Sequence, residues 1–328
     1  MEWFILFVGV IIVVAALLET IWTTLWVGGG AGPITRAASN LVWLLLNAFR
    51  NHRLMVVAGP LVLTITTMSW LLLLWLGWFL IFWSAPTSLV ASSSQAVADV
   101  SDRIYFVGYT LFTLGNGEFS PNGDGWQIAT ALASGAGLFT ATLAITYLIS
   151  VISAAVSARA FAAEVWGLGD APAEVVAAGW DGKNYSGLAL PLQSVASQLT
   201  KLSQQYLAYP VLQYFHSGEA AKSPIASLAR LDQIVMIAAH GVPRGLRAPA
   251  VILNSVRSAV TNVLQSLPQK FVQPADDPLP VPSLGSILQR GYPVVSEEEF
   301  ADGVRSEQDR RRRLRGLLNA HGWGDHGI

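Results

Sequence analysis

The sequence predicts an all-α membrane protein, and three observations carry that prediction. Only 12% of its 328 residues are charged and 52% are hydrophobic, whereas a soluble globular chain carries about 25% charged residues. The apolar residues gather in three long runs before about residue 157, each long enough for the roughly 20-residue helix that crosses a bilayer core. Twelve tryptophans fit several crossings, because Trp concentrates at membrane–water interfaces. Beyond the runs the composition is ordinary, so a membrane part precedes a water-facing part. The net charge of −1 argues against bulk attraction to nucleic acid, and the lack of cysteine excludes disulfides and thiolate metal sites.

The first span is Trp3–Trp26, interrupted by Glu19, Thr20, Thr23 and Thr24 near its far end. It starts without a basic region and is too long for the core of a cleavable signal, so none is expected. An acid inside a span invites a functional role. The position of Glu19 near the span's end points instead to a hydrogen bond to another helix, or to snorkelling. Ile34–Arg53 is too short in its apolar stretch (Leu41–Phe49) to cross, and Arg36, Arg50, His52 and Arg53 flank it. An interfacial helix is expected there, with a fourth span as the alternative. Leu54–Trp83 would be about 45 Å long as a helix, so it must tilt, protrude or kink, and Pro60 is a candidate kink. Trp126–Ile152 is the third span and continues towards Ser157. Arg36, Arg50 and Arg53 crowd the first loop and Arg159 follows the third span. The positive-inside rule then places the N-terminus outside and the tail in the cytoplasm of a multi-pass cell (inner) membrane protein.

The connection between the second and third spans is the informative stretch. Ser84–Val100 is polar, as a surface loop should be. Arg103–Phe112 is apolar and aromatic but only about ten residues long, so it can enter a bilayer halfway and must return. Thr113-Leu-Gly-Asn-Gly117 follows. Irregular backbone at membrane depth survives only where protein buries it or water wets it. Two glycines spaced by one residue let φ alternate in sign, which aims successive carbonyls one way. A ring of such carbonyls can replace the hydration shell of a monovalent cation. One strand gives one oxygen per level, so four chains are needed. The alternative is a surface turn, since Asn-Gly is a common turn dipeptide; the aromatic run and flanking spans favour the dip.

The segment Tyr109-Thr-Leu-Phe-Thr-Leu-Gly-Asn-Gly-Glu-Phe-Ser-Pro121 resembles the pore loop of the potassium-channel superfamily, whose filter reads T-V-G-Y-G-D. Gly137 stands 24 residues after Thr113, where that family carries an inner-helix hinge glycine. Tyr105 and Phe106 fall at its aromatic cuff. The resemblance covers roughly Leu54 to Ser157. It implies a homotetrameric channel with a re-entrant pore helix, ion-binding positions at Thr113, Leu114, Gly115, Asn116 and Gly117, and filter support from Tyr105, Phe106 and Thr110. No cofactor is implied beyond permeant potassium in the filter, joined by sodium if the filter discriminates weakly. The family's filter Tyr is Asn116 here, and a pore-helix Thr is Phe112. That pattern is most similar to the non-selective sodium- and potassium-conducting bacterial channels, T-V-G-D-G-N-F-S-P. Asn116 is expected to be too short to reach the cuff. Inner sites from the Thr113 hydroxyl and the Thr113 and Leu114 carbonyls should then be intact, and outer sites at Gly115 and Asn116 weak. Weak potassium/sodium discrimination stands beside ordinary potassium selectivity as the expectation. Glu118 is a candidate acid ring at the outer mouth, and Asp124 a lesser one or a helix-start residue. Gly137 is read as a hinge or, with Gly135, as a close-packing residue. Leu138, Ile145 and Ile149 are read as lining an inner cavity or gate that closes by dewetting, or as facing lipid or packing in the core.

Three parts are expected: 1–53 with the first span and interfacial helix, 54–158 as pore domain, and 159–328 as a helical cytoplasmic domain. In the last, Leu192, Val195, Leu199, Leu202 and Tyr206 make one helix face within Leu190–Tyr209. Ile225–Ala239 and Ala248–Leu267 repeat the pattern, Phe271–Pro282 reads as a Pro-rich linker, and Ser296–Glu299 offers a capping box. No nucleotide-binding glycine motif follows a strand, and His216, His240, His321 and His326 lack metal-ligand spacing. Arg310–Arg313 with Arg315 is read as a solvated face paired with Glu307 and Asp309, or as a contact to anionic lipid. No catalytic constellation lies within the spans, so an enzyme is not expected. A membrane-anchored sensor or scaffold with a non-conducting pore-like region is the second function class.

Overall fold

The computed structural model describes residues 1–28, 30–48 and 52–324; Arg50 and His326, and the side chains of His52 and Arg53, lie outside the described residues. The chain is mostly helical: α1 (Glu2–Leu25), α2 (Pro33–Ala48), α3 (His52–Trp83), α4 (Val100–Leu111) and α5 (Asp124–Gly167) come first. Three of these, α1, α3 and α5, are long and apolar enough to cross a membrane. Two compact units result, Met1–Leu45 with Pro60–Val151, and Leu46–Gly59 with Ile152–Ile328.

In the first unit α1 lies against α3 where both helices carry glycine. A Cβ on Gly9 would sit 2.9 Å from the Gly77 carbonyl, and one on Gly77 would sit 2.7 Å from the Val13 side chain. Small residues let helix backbones approach where lipid supplies no hydrophobic drive. Glu19 has the structural role: it is 3% exposed, and its carboxylate accepts from Thr35 N (2.7 Å) and Ile34 N (3.2 Å). Those amides belong to the first turn of α2, where helix donors lack intrahelical partners. Thr35 Oγ1 also accepts from Trp70 Nε1 at 3.3 Å, pinning the same turn to α3.

The stretch expected to be plain loop holds a small sheet. β1 (Leu89–Ala91) pairs antiparallel with β2 (Phe119–Pro121), in register Leu89↔Pro121, Val90↔Ser120 and Ala91↔Phe119. Leu89 and Val90 are buried, and burial of these two apolar side chains outweighs the Ser-rich surroundings. After β1 the chain enters α4 through a reciprocal cap. Asp99 accepts from Asp102 N (2.9 Å) and Asp102 accepts from Asp99 N (3.0 Å). The Asp102 amide, first among its partners, holds the Asp99 carboxyl below its usual pKa.

The second unit contains the last part of α5, then α6 (Pro172–Ala178), α7 (Ala189–Ala208), α8 (Pro224–Met236), α9 (Ala250–Ser266), α10 (Gly285–Gln289), α11 (Glu297–Arg305) and α12 (Gln308–Ala320). α5 runs beyond Ser157 because Phe161, Ala162 and Val165 find a fully buried seat there. Trp166 donates from Nε1 to Ser227 Oγ (3.1 Å), and the Arg230 guanidinium stacks 4.2 Å from its ring. α7 and α9 form the main helix pair, through Leu192, Val195, Leu199 and Leu202 against Val256, Val260 and Val263, all buried. Ser296 Oγ caps α11 by accepting from Glu299 N at 3.2 Å.

Two expectations are corrected here. Phe271–Pro282 is no free linker: Phe271, Val272 and Leu279 are buried, and Arg311 donates to the Pro280 carbonyl (2.7 Å) and Arg315 to that of Pro278 (3.0 Å). The arginine run keeps the expected pairing of Arg310 with Glu307 (3.1 Å), but it is not a solvated or lipid-facing surface as a whole. Arg311 is fully buried and, with Arg310, binds Asp232, itself 1% exposed, at 2.5 and 2.9 Å. A buried carboxylate needs partners to offset its desolvation, and Asp232 on α8 lies too far along the chain for that pairing to be read in advance.

A buried histidine makes the second unit sensitive to acid. His321 is 5% exposed and stacks on His216 with centroids 4.9 Å apart. Burial, and then His216, push its pKa down from 6.5 to about 4. The unfolded chain therefore binds the proton more readily than the folded one. The stabilisation is present above about pH 6.5 and is lost as pH falls towards 4, roughly 3 kcal/mol in all. Thermal unfolding of the full-length protein in detergent should shift to lower temperature across that window, and His321→Gln should reduce the dependence, the remainder coming from His240, which burial likewise pushes down to about 4.

Candidate functional site

The site is the segment between α4 and β2, and α3 and α5 position it. Trp75 on α3 packs its ring on Gly108, where a Cβ would lie 2.6 Å from it, and donates from Nε1 to the Ile104 carbonyl at 3.1 Å. Phe106 is 2% exposed between Phe82 (5.1 Å) and Tyr109 (5.2 Å). On the other side Gly137 of α5 receives the end of α4, for a Cβ there would overlap the Leu111 carbonyl. Nothing lies within 4 Å of a Cβ on Gly135. Gly137→Ala should therefore destabilise the fold by the 1–3 kcal/mol typical of overpacking and lower its unfolding temperature, while Gly135→Ala should leave that temperature nearly unchanged. The contact gives Gly137 a packing role whatever hinge motion occurs there.

Past α4, Thr113 N donates to Thr110 O (3.1 Å) and Leu114 N to Tyr109 O (2.8 Å). The backbone then alternates. φ is +56° at Thr113, +63° at Gly115 and +75° at Gly117, and Leu114 and Asn116 between them are not among the positive-φ residues. A β-branched residue at positive φ is a conformational outlier, and such strain concentrates at functional sites. The Thr113 hydroxyl donates to Phe112 O at 2.7 Å, which leaves its oxygen lone pairs as acceptors. Among the described residues, no hydrogen bond within the chain ends on the carbonyls of Thr113, Leu114, Gly115 or Asn116. Thr113 to Gly117 are all exposed in the single chain, so these carbonyls are left to solvent or to a partner outside the chain. They are a row of hard oxygen acceptors suited to a dehydrated cation or to water.

Asn116 requires a correction. Its Nδ2 donates to Tyr105 Oη at 2.5 Å, so it does reach the aromatic cuff. The phenol supplies the length the amide lacks, because Tyr105 points its hydroxyl outward from α4. Tyr109, one helical turn on, donates from its hydroxyl to Phe119 O at 3.1 Å and meets Tyr105 edge to face at 5.2 Å. Tyr109 was not among the expected support residues; its spacing of four from Tyr105 was the available signal.

Glu118 is exposed, and its carbonyl accepts from Ser92 N at 2.9 Å. Asp124 opens α5 and is exposed. A cleft of about 460 Å³ flanks the segment, walled by Phe106, Tyr109 and Thr110 on α4 and by Gln127, Thr130 and Ser134 on α5. Further along α5, Leu138, Ile145 and Ile149 are 60%, 58% and 65% exposed, and their spacing puts them on one helix face. Among the described residues no group of His, Cys, Asp or Glu could hold a metal ion.

A family model described as ion channel matches residues 64–154, from within α3 through α4 and the carbonyl segment into α5. The chain is also 37% identical over 314 residues to a protein of Bacillus subtilis (strain 168) named "Uncharacterized membrane protein YdjJ", covering 95% of this chain and 92% of that one. No solved structure matches.

Proposed function

We propose, from the premise that this chain belongs to the family of the Bacillus subtilis membrane protein YdjJ and carries an ion-channel domain, that it is the pore-forming subunit of a homotetrameric potassium channel. The observation that carries the proposal is the alternating backbone of Thr113–Gly117 with its four unbonded carbonyls. Four copies around one axis turn that row into stacked rings of four oxygens, which substitute for the hydration shell of a monovalent cation. α4 is the re-entrant pore helix. The exposed cleft beside the segment supports assembly, since the chain does not fill the flank of its own filter.

Conduction then needs no catalytic cycle. An ion loses water at the first ring, shares adjacent sites with a second ion, and leaves when a third arrives. Glu118, at the exit of each filter, concentrates cations at the outer mouth. Leu138, Ile145 and Ile149 line the inner cavity and close it by dewetting. The N-terminus lies outside and the second unit in the cytoplasm. The Asn116–Tyr105 bond favours potassium selectivity over a widened outer vestibule, because it restrains the residue whose freedom would widen the filter.

Thallium influx into liposomes holding the purified protein tests the channel, and a bi-ionic reversal potential tests its selectivity. Flux with a strongly potassium-selective potential is expected. Flux with a potential near zero would assign a non-selective filter, and no flux at all would favour a sensor or scaffold.

A further inference from the structure

The row of unbonded carbonyls ends at Gly117, and a residue from a different part of the chain ends it. Ser92 Oγ donates to the Gly117 carbonyl at 2.7 Å and lies 2.7 Å from Ser120 Oγ. Its own amide donates to the Glu118 carbonyl at 2.9 Å. One consistent proton arrangement runs Ser120 hydroxyl to Ser92 oxygen and Ser92 hydroxyl to Gly117 oxygen. Ser92 is the next residue after β1, and its bond to Glu118 continues the β1–β2 ladder by one step.

The placement is built rather than incidental. β1 is held on both edges: it pairs with β2 on one side and bridges Val97 through Val90 on the other. Ala98 N donates to Leu89 O (3.1 Å) and Ala91 N to Ala96 O (2.9 Å). Further out, Asn122 N donates to Ser88 O (2.9 Å) and Asn122 Nδ2 to Thr87 O (3.0 Å). The limb entering α4 is thus stitched to the limb leaving the filter, with Ser92 at the inner end of the seam.

We infer that Ser92 is a positioning residue of the filter, drawing the Gly117 carbonyl out of the ion path so that ion coordination stops at Asn116. The inference rests on the channel assignment above and adds the position at which the stack of sites ends. A carbonyl engaged by a hydroxyl has its direction fixed towards that donor and one of its two lone pairs occupied. Without the hydroxyl, the Gly117 carbonyl is released at a residue free to rotate its peptide, and it joins the four below it. The filter gains an outer site and loses an anchor.

Density maps of the full-length protein in thallium, with reversal potentials in parallel, test this. In the parent, thallium should occupy levels between Thr113 and Asn116 and be absent at Gly117. Ser92→Ala should gain density at the Gly117 level and shift the potassium-to-sodium permeability ratio by about fivefold, the worth of one net hydrogen bond. Ser92→Thr, which keeps the hydroxyl, should match the parent in both. Thallium at the Gly117 level of the parent, or a Ser92→Ala protein identical to it, would overturn the inference and leave the channel assignment intact. Thallium at no level of the parent would overturn both.

Discussion

Gly115→Ala should abolish cation flux, by about 100-fold or more, while the protein still folds and assembles. At Gly115 φ is +63° and a Cβ would meet nothing within 4 Å, so no clash opposes the substitution. The obstacle is the backbone. An L-residue in the left-handed region costs roughly 1–2 kcal/mol, and a tetramer would carry that cost four times at one level. The inexpensive escape is to rotate the adjoining peptides back to negative φ, which turns carbonyls away from the axis. Either way the ring that strips the ion of water is lost, and about 1.4 kcal/mol suffices for each tenfold in rate. Gly125→Ala is the control: it also has open space, and its φ lies outside the left-handed range. It should leave flux near the parent value. Comparable flux from Gly115→Ala and Gly125→Ala would remove the support that the alternating backbone gives to the channel assignment.

Asp232→Ala should destabilise the second unit by about 3–5 kcal/mol, the cost of leaving a buried charge without its partner. Arg311 is fully buried, with its guanidinium bound to Asp232 and to the carbonyls of Leu279 and Pro280. Burial already lowers the pKa of Arg311, an effect the Asp232 charge opposes. Losing the carboxylate also releases Arg310, which holds it through Nε (3.1 Å) and Nη2 (2.9 Å). Since whole domains are stable by only about 5–15 kcal/mol, the unit should open readily. Hydrogen exchange on the full-length protein should show faster exchange in α8 and α12, with α1 and α4 unchanged. Replacing Asp232 by Leu and Arg311 by Met together should cost less than Asp232→Ala alone, because a buried pair exchanged for apolar volume is often neutral.

Much of the fold was legible because membrane spans are written in composition. α1, α3 and α5 begin within two residues of the positions read from apolar runs, since lipid leaves no other solution for such segments. The second unit's long helices were readable from period, as Leu192 to Tyr206 illustrates. What stayed hidden depends on pairings distant in sequence. β1 lay in a Ser-rich stretch whose partner strand, β2, follows α4. The arginine run near 311 looked solvated because its acid, Asp232, stands 79 residues away. In the candidate site, the glycines of Thr113–Gly117 announced the backbone. Tyr105 could not be assigned to Asn116 from sequence, because the meeting depends on how α4 is rotated about its axis. Ser92 gave no signal of its own.

The most direct measurement is a density map of the purified full-length protein in a lipid bilayer with potassium present. Four chains should surround one axis, with the carbonyl oxygens of Thr113, Leu114, Gly115 and Asn116 facing it and ion density between their levels. An assembly without such an axis, or one that leaves these carbonyls in bulk water, would contradict the potassium-channel assignment.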